Sequence, residues 1–82
     1  MTEKRYIIYG KDGCPYCCFA QDYCLAKQKE MVYLDYTKDL EALRDCMSFY
    51  KMKTVPMILE NDIETGLTKF VGGYTDLLKH LK

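Results

Sequence analysis

Three of the chain's five cysteines fall inside one hexapeptide, Gly13-Cys14-Pro15-Tyr16-Cys17-Cys18. Two thiols separated by two residues serve either as a redox couple or as half of a zinc site. A third thiol directly beside them fits neither pattern. A closed zinc site takes four Cys or His ligands, usually as two separated pairs. Elsewhere the sequence offers only Cys24, Cys46 and His80, with no second C-x-x-C and no H-x-x-x-H. The spacing therefore favours redox chemistry, and no metal is expected. His80, alone near the C-terminal end, reads as a solvated helix-end residue.

Within the hexapeptide, Cys14 is the nucleophile candidate. Pro15 suits the first turn of a helix, where its missing N–H leaves nothing unpaired. Cys14 then stands at the helix start, where free N–H groups and the positive end of the dipole favour a thiolate. Such a position can lower a cysteine pKa from about 8.5 into the range of roughly 3.5–7.5. Lys11 adds a nearby cation, and Asp12 opposes it. Cys17, one turn further, places its Cα roughly 5–6 Å from that of Cys14, within reach of a disulfide. It is the candidate resolving thiol. Cys18 is turned about 100° further round the helix. It is expected to face inward as a small apolar residue. Cys24 shares a helix side with Cys17 but lies roughly 10 Å along the axis, too far to pair. Packing is the expected role of Cys24 and of Cys46.

The elements that must position these thiols are readable in outline. Arg5–Tyr9 is a β-branched and aromatic run ending at Gly10, as a buried strand would. A loop to Gly13 leads into a helix from about Cys14 to Gln28. Met31–Tyr36 reads as a second strand. Over Asp39–Tyr50, Leu40, Leu43, Met47 and Tyr50 keep the spacing of one apolar helix face. Thr54–Leu59 reads as a third strand, interrupted early by Pro56. Glu60–Leu67 carries the turn residues of a hairpin, Thr68–Gly72 returns as a fourth strand, and Tyr74–Leu81 closes as a helix. The order β-α-β-α-β-β-α implies a parallel first pair, joined by a crossover helix, and an antiparallel hairpin at the end.

Composition narrows the class. Eighty-two residues form one domain spanning 1–82, with enough apolar content (49%) for an ordinary core. Twelve basic residues balance twelve acidic ones without a block of either sign, so no nucleic-acid or membrane partner is indicated. No stretch reads as a signal peptide or a membrane span, and a reducing, cytoplasmic location is expected.

Cys14-Pro15-Tyr16-Cys17 after a strand, Thr54-Val55-Pro56, and Gly72-Gly73-Tyr74-Thr75-Asp76-Leu77 occur in that order. Together they make the chain resemble a glutaredoxin of the dithiol type over nearly its whole length. The resemblance implies an α/β, thioredoxin-like fold: a central four-stranded mixed sheet with three helices. It also implies a glutathione-dependent thiol–disulfide oxidoreductase, with Cys14 and Cys17 catalytic. Glutathione would be a co-substrate, with no bound cofactor. By similarity, Lys11 and Tyr16 flank the glycine end of glutathione, and Val55 offers its main chain to the tripeptide as a short β-like pair. A cis Pro56 holds that backbone open, and Thr54 borders the same groove. Gly73, Tyr74, Thr75 and Asp76 open a helix whose amides and side chains suit a carboxylate and an ammonium. Thr75 and Asp76 equally suit first-turn capping, and Gly72 and Gly73 suit turn geometry. Partners implied are glutathione and disulfide-bearing or glutathionylated proteins, ribonucleotide reductase among them, acting on a monomer. Two alternatives stand beside this reading. One is a small redoxin served by thioredoxin reductase, and the other is a binder of a glutathione-ligated iron–sulfur cluster.

Overall fold

In the computed structural model, which describes residues 4–81, the first apolar run forms β1 (Lys4–Gly10). Strand periodicity sends Tyr6, Ile8 and Gly10 to one face, all buried, and Arg5, Ile7 and Tyr9 to the other. The remaining elements are α1 (Pro15–Ala26), β2 (Glu30–Asp35), α2 (Leu40–Phe49), β3 (Met57–Asp62), β4 (Thr68–Gly72) and α3 (Tyr74–His80). The sheet order is β2-β1-β3-β4. β1 runs parallel to β2, antiparallel pairing joins β1 to β3, and β3 pairs antiparallel with β4. This is the mixed four-stranded, three-helix thioredoxin-like arrangement read from the motifs.

α1 and α3 cover the Tyr6/Ile8 face. Ala20 and Cys24 of α1 and Leu77 of α3 close over Tyr6, Ile8 and Ile58. Ile8, Ile58 and Leu77 are each 0% exposed. A side chain of that size stabilises by about 1.5–3 kcal/mol when fully buried. The other face carries Tyr9, Met57 and Leu59, and α2 supplies the buried Leu43. Asp39 caps α2, its carboxylate accepting the Ala42 N–H at 3.2 Å.

Several boundaries differ from the sequence expectation, those of β3 and α1 most. β3 begins at Met57 and not at Thr54: residues 54–56, with a cis Val55–Pro56 peptide, lie outside the ladder. It continues instead to Asp62, through Glu60 and Asn61, which pair with Tyr6 and Arg5. The hairpin turn is therefore confined to residues 63–67. Asp62 holds it, its carboxylate accepting from Glu64 N–H at 3.0 Å and Thr65 N–H at 3.2 Å, while Gly66 takes φ +79°. α1 also stops short of Gln28, which adopts a left-handed φ of 56° and breaks the helical run.

His80 is not simply solvated. Its Nε2 pairs with the carboxylate of Glu60, a strand residue only 7% exposed. Glu60 also accepts from the Tyr6 hydroxyl at 2.7 Å and pairs with Lys4 Nζ at 3.3 Å. Burial alone would raise the Glu60 pKa, but the bonds from His80, Tyr6 and Lys4 outweigh it and lower the pKa to about 2. The Tyr6 hydroxyl is pushed upward, first by burial and then by its bond to Glu60.

Candidate active site

The β1–α1 turn delivers Cys14 to the N-cap of α1, with Pro15 first in the helix. Cys14 Sγ accepts the Cys17 N–H at 3.2 Å, so a main-chain donor already points at the sulfur. Cys14 and Cys17 form a disulfide with their Cα atoms 5.3 Å apart. Cys14 is partly open to solvent, whereas Cys17 is 1% exposed. The two sulfurs thus differ in access, as attacking and resolving thiols require.

Cys18 departs from expectation, because it is exposed. The inward side of α1 is set by Cys17, Ala20 and Cys24, all buried. One residue past Cys17 rotates about 100° away from that side. Cys18 therefore meets solvent where an inward, core-facing position was expected. Cys24 is buried, with its pKa raised by burial, and Cys46 is half-buried.

Gly10 and Tyr33 support the pair from behind. A methyl group added at Gly10 would run into the Tyr33 hydroxyl and come within 2.9 Å of Cys17 Sγ. The absence of a side chain there lets the phenol and the buried sulfur share one space. Burial first, then the charges of Asp35, Cys18 and Asp12, raise the Tyr33 pKa and keep it a neutral hydroxyl.

Of the nine residues expected to surround glutathione, eight line one groove of about 290 Å³. They are Tyr16, Thr54, Val55, Pro56 and the run Gly73, Tyr74, Thr75, Asp76. The Val55 carbonyl lies 3.7 Å from Cys14 Sγ, at the mouth of this groove. Lys11 is not among these lining residues; with Cys14 it lines an adjoining depression that shares Thr54 and Val55. Asp76 accepts the Gly73 N–H through Oδ2 at 3.1 Å, which ties the start of α3. Its side chain fills the space that a Cβ on Gly72 would need, where φ is +124°. Gly72 therefore meets a geometric demand. A Cβ on Gly73 would meet only ordinary contacts, at 3.7 Å from the Pro56 carbonyl and 3.8 Å from Met52 Cε.

Sequence reading missed three contributors. Met52 lines the groove from the α2–β3 connection. Phe19 stands with Tyr16 and Tyr74 in an aromatic trio, with ring centroids 5.7–6.0 Å apart. Arg44 approaches the site from α2. Phe19 carried a usable signal, since it follows Tyr16 by three residues on one helix and shares its face. Among the described residues, no three His, Cys, Asp or Glu side chains gather as metal ligands, and no helix is long and apolar enough to cross a membrane.

No protein-family model and no curated protein sequence matches the chain. Solved structures do. A solution structure of glutaredoxin from Brucella melitensis is 28% identical, with a TM-score of 0.68, covering 92% of this chain and 75% of that one. A crystal structure of glutaredoxin 1 from Francisella tularensis is 24% identical, with a TM-score of 0.67, covering 94% and 91%. A crystal structure of a thioredoxin-like protein, 20% identical with a TM-score of 0.64, covers 94% and 99%. At their lower identities the last two speak to the fold. The glutaredoxin resemblance carried by the motifs thus extends to the whole fold. With its Cys-x-x-Cys pair at a helix start and these neighbours, the chain is a thiol–disulfide oxidoreductase.

Proposed function

We propose that this glutaredoxin-like chain uses glutathione as its co-substrate and reduces both glutathione mixed disulfides and protein disulfides. The observation that carries the reading is the groove at Cys14. A tripeptide with two carboxylates and one ammonium needs exposed main chain and opposite charges. Val55 supplies the main chain beside the sulfur, while Thr75 and the second carboxylate oxygen of Asp76 stand open to solvent at the far end. Lys11, across Cys14, would take the glycine carboxylate.

In the monothiol branch the Cys14 thiolate attacks the glutathione sulfur of a mixed disulfide. The protein thiolate leaves, and a second glutathione then displaces the first from Cys14. In the dithiol branch Cys14 attacks a protein disulfide and Cys17 displaces the product, closing the Cys14–Cys17 bond. Each step is exchange through a mixed disulfide, governed by thiolate population and leaving-group pKa. No bound prosthetic group takes part, and a monomer suffices. Ribonucleotide reductase is a family-level substrate candidate.

Replacement of Cys14 by Ser is expected to abolish both branches. Cys17→Ser is expected to keep removal of glutathione from protein thiols while losing protein-disulfide reduction. Coupled assays with glutathione and glutathione reductase, set against thioredoxin reductase, check the co-substrate. Turnover with thioredoxin reductase alone would overturn the glutathione assignment.

A further inference from the structure

Cys17 has to ionise in a place that resists charge. It is 1% exposed, and burial disfavours a thiolate. Cys24, on the same buried side of α1, shows the penalty: burial raises its pKa. Cys14 meets the same demand with the Cys17 N–H on its sulfur. Cys17 needs a donor of its own.

The neighbouring strand holds one. Tyr33 of β2 pairs with Ile8 of β1 and packs against the core on that side of the sheet, beneath α1. Its hydroxyl and Cys17 Sγ crowd a single point, the position a Cβ on Gly10 would take. The sulfur is 2.9 Å from that point and the phenol oxygen is nearer still. Glycine at position 10 keeps the space between them open. Tyr6, a phenol on the same face, commits its hydroxyl to Glu60 at 2.7 Å. Among the described residues the Tyr33 hydroxyl donates to no protein group, and the half-exposed ring reaches from the buried sulfur toward solvent. The titratable groups around it are Asp35 of β2, Asp12 of the β1–α1 turn and Cys18 of α1. After burial, all three hold its pKa above the ordinary tyrosine value, so it stays a neutral donor.

We propose that Tyr33 is the positioning residue of the resolving step: once the disulfide is open, its hydroxyl donates a hydrogen bond to the Cys17 thiolate, directly or through one water. A bond to the charged form favours that form and offsets burial. The proposal rests on Cys17 being the resolving thiol, as above, and not on glutathione. In the step itself, the Cys17 thiol gives its proton to water and the thiolate accepts the Tyr33 O–H. Cys17 Sγ then attacks Cys14 Sγ. The Cys14–Cys17 bond forms, and the bond from Cys14 to the substrate sulfur breaks. The substrate leaves as a thiolate and is protonated by water, and the phenol keeps its proton throughout. Two electrons have passed from the Cys14/Cys17 pair to the substrate disulfide.

The test is a stopped-flow reaction of pre-reduced full-length protein with one equivalent of Ellman's reagent, an aryl disulfide that releases a yellow thiolate. Cys18→Ser and Cys46→Ser in the background remove the other thiols within reach of solvent. Attack by Cys14 releases a first burst of aryl thiolate, and closure by Cys17 releases a second whose rate does not depend on reagent concentration. Tyr33→Phe removes no bond to the protein framework, and a thermal melt close to that of the background protein checks its fold. It is expected to leave the first burst within about twofold and to slow the second about tenfold near pH 7. The pH midpoint of the second burst should rise by about one unit, with the two proteins converging at high pH. An unchanged second burst would overturn the proposal. So would a slowing that is equal at every pH, which marks looser packing and not a lost donor. Absence of a second burst in the background protein would overturn the resolving role of Cys17 itself, and the proposal with it.

Discussion

Cys14 and Cys18 are four residues apart in sequence and alike in being reachable by solvent, yet only one belongs to a redox pair. Cys14 has a main-chain donor on its sulfur and a partner one turn inward; Cys18 has neither among the described residues. In reduced protein a bulky thiol reagent should therefore label Cys14 and Cys18 quickly and Cys24 only on unfolding. Peptide mapping after timed labelling checks this, and slow modification at Cys18 would contradict its placement. The split between Cys14 and Cys17 in the mutants above belongs to this scale too. It follows from 1% exposure at Cys17, which leaves that sulfur unable to meet a protein substrate directly.

At the scale of elements, α3 does two jobs with one residue. Asp76 ties the Gly73 N–H at the helix start and also presents a carboxylate to the groove. The two roles separate by substitution. Asp76→Asn keeps an acceptor for the helix start, so its thermal midpoint should stay near that of the parent protein. The glutathione concentration for half-maximal rate should rise about two- to fivefold, the scale of one exposed ion pair. Asp76→Ala should lose both, with stability falling by about 0.5–2 kcal/mol. Thermal melts and glutathione titrations distinguish the outcomes. Most of this site was legible in the sequence, because each of its three motifs is local: a helix start, a turn before a strand, a glycine pair before a helix. Arg44 was not legible. Its approach to Cys14 depends on how α2 lies against the β1–α1 turn, which no residue spacing encodes. The direction of Cys18 failed for a related reason. Spacing fixed its angle to Cys14, but only the packed sheet defines which direction is inward.

For the molecule as a whole, the Glu60 cluster joins the start of β1, the middle of β3 and the end of α3. Its carboxylate has a pKa of about 2 when folded, against an ordinary value of 4.5. Between those limits the unfolded chain binds more protons than the folded one, so stability rises with pH there. The contribution is complete above about pH 4.5 and is lost as pH falls toward 2. Urea unfolding across that range should show a steep loss of midpoint in the parent protein and a shallower one in Glu60→Gln. Identical pH profiles would remove Glu60 as the acid-sensitive element. The cluster was invisible in the sequence because Glu60 sits in a stretch rich in turn residues. Its burial follows from β3 pairing with β1 past Leu59, where Glu60 stands opposite Tyr6.

The shared space at Gly10 has an optical consequence. The chain has eight tyrosines and no tryptophan, so its intrinsic emission is phenolic throughout. A disulfide quenches an excited phenol beside it, and Tyr33 lies against the same glycine as Cys17 Sγ. Tyrosine fluorescence should brighten when the Cys14–Cys17 bond is opened and dim when it closes, with the change diminished in Tyr33→Phe. The molecule then carries its own dye-free reporter, and stopped-flow emission can time each half of the redox cycle in unmodified protein.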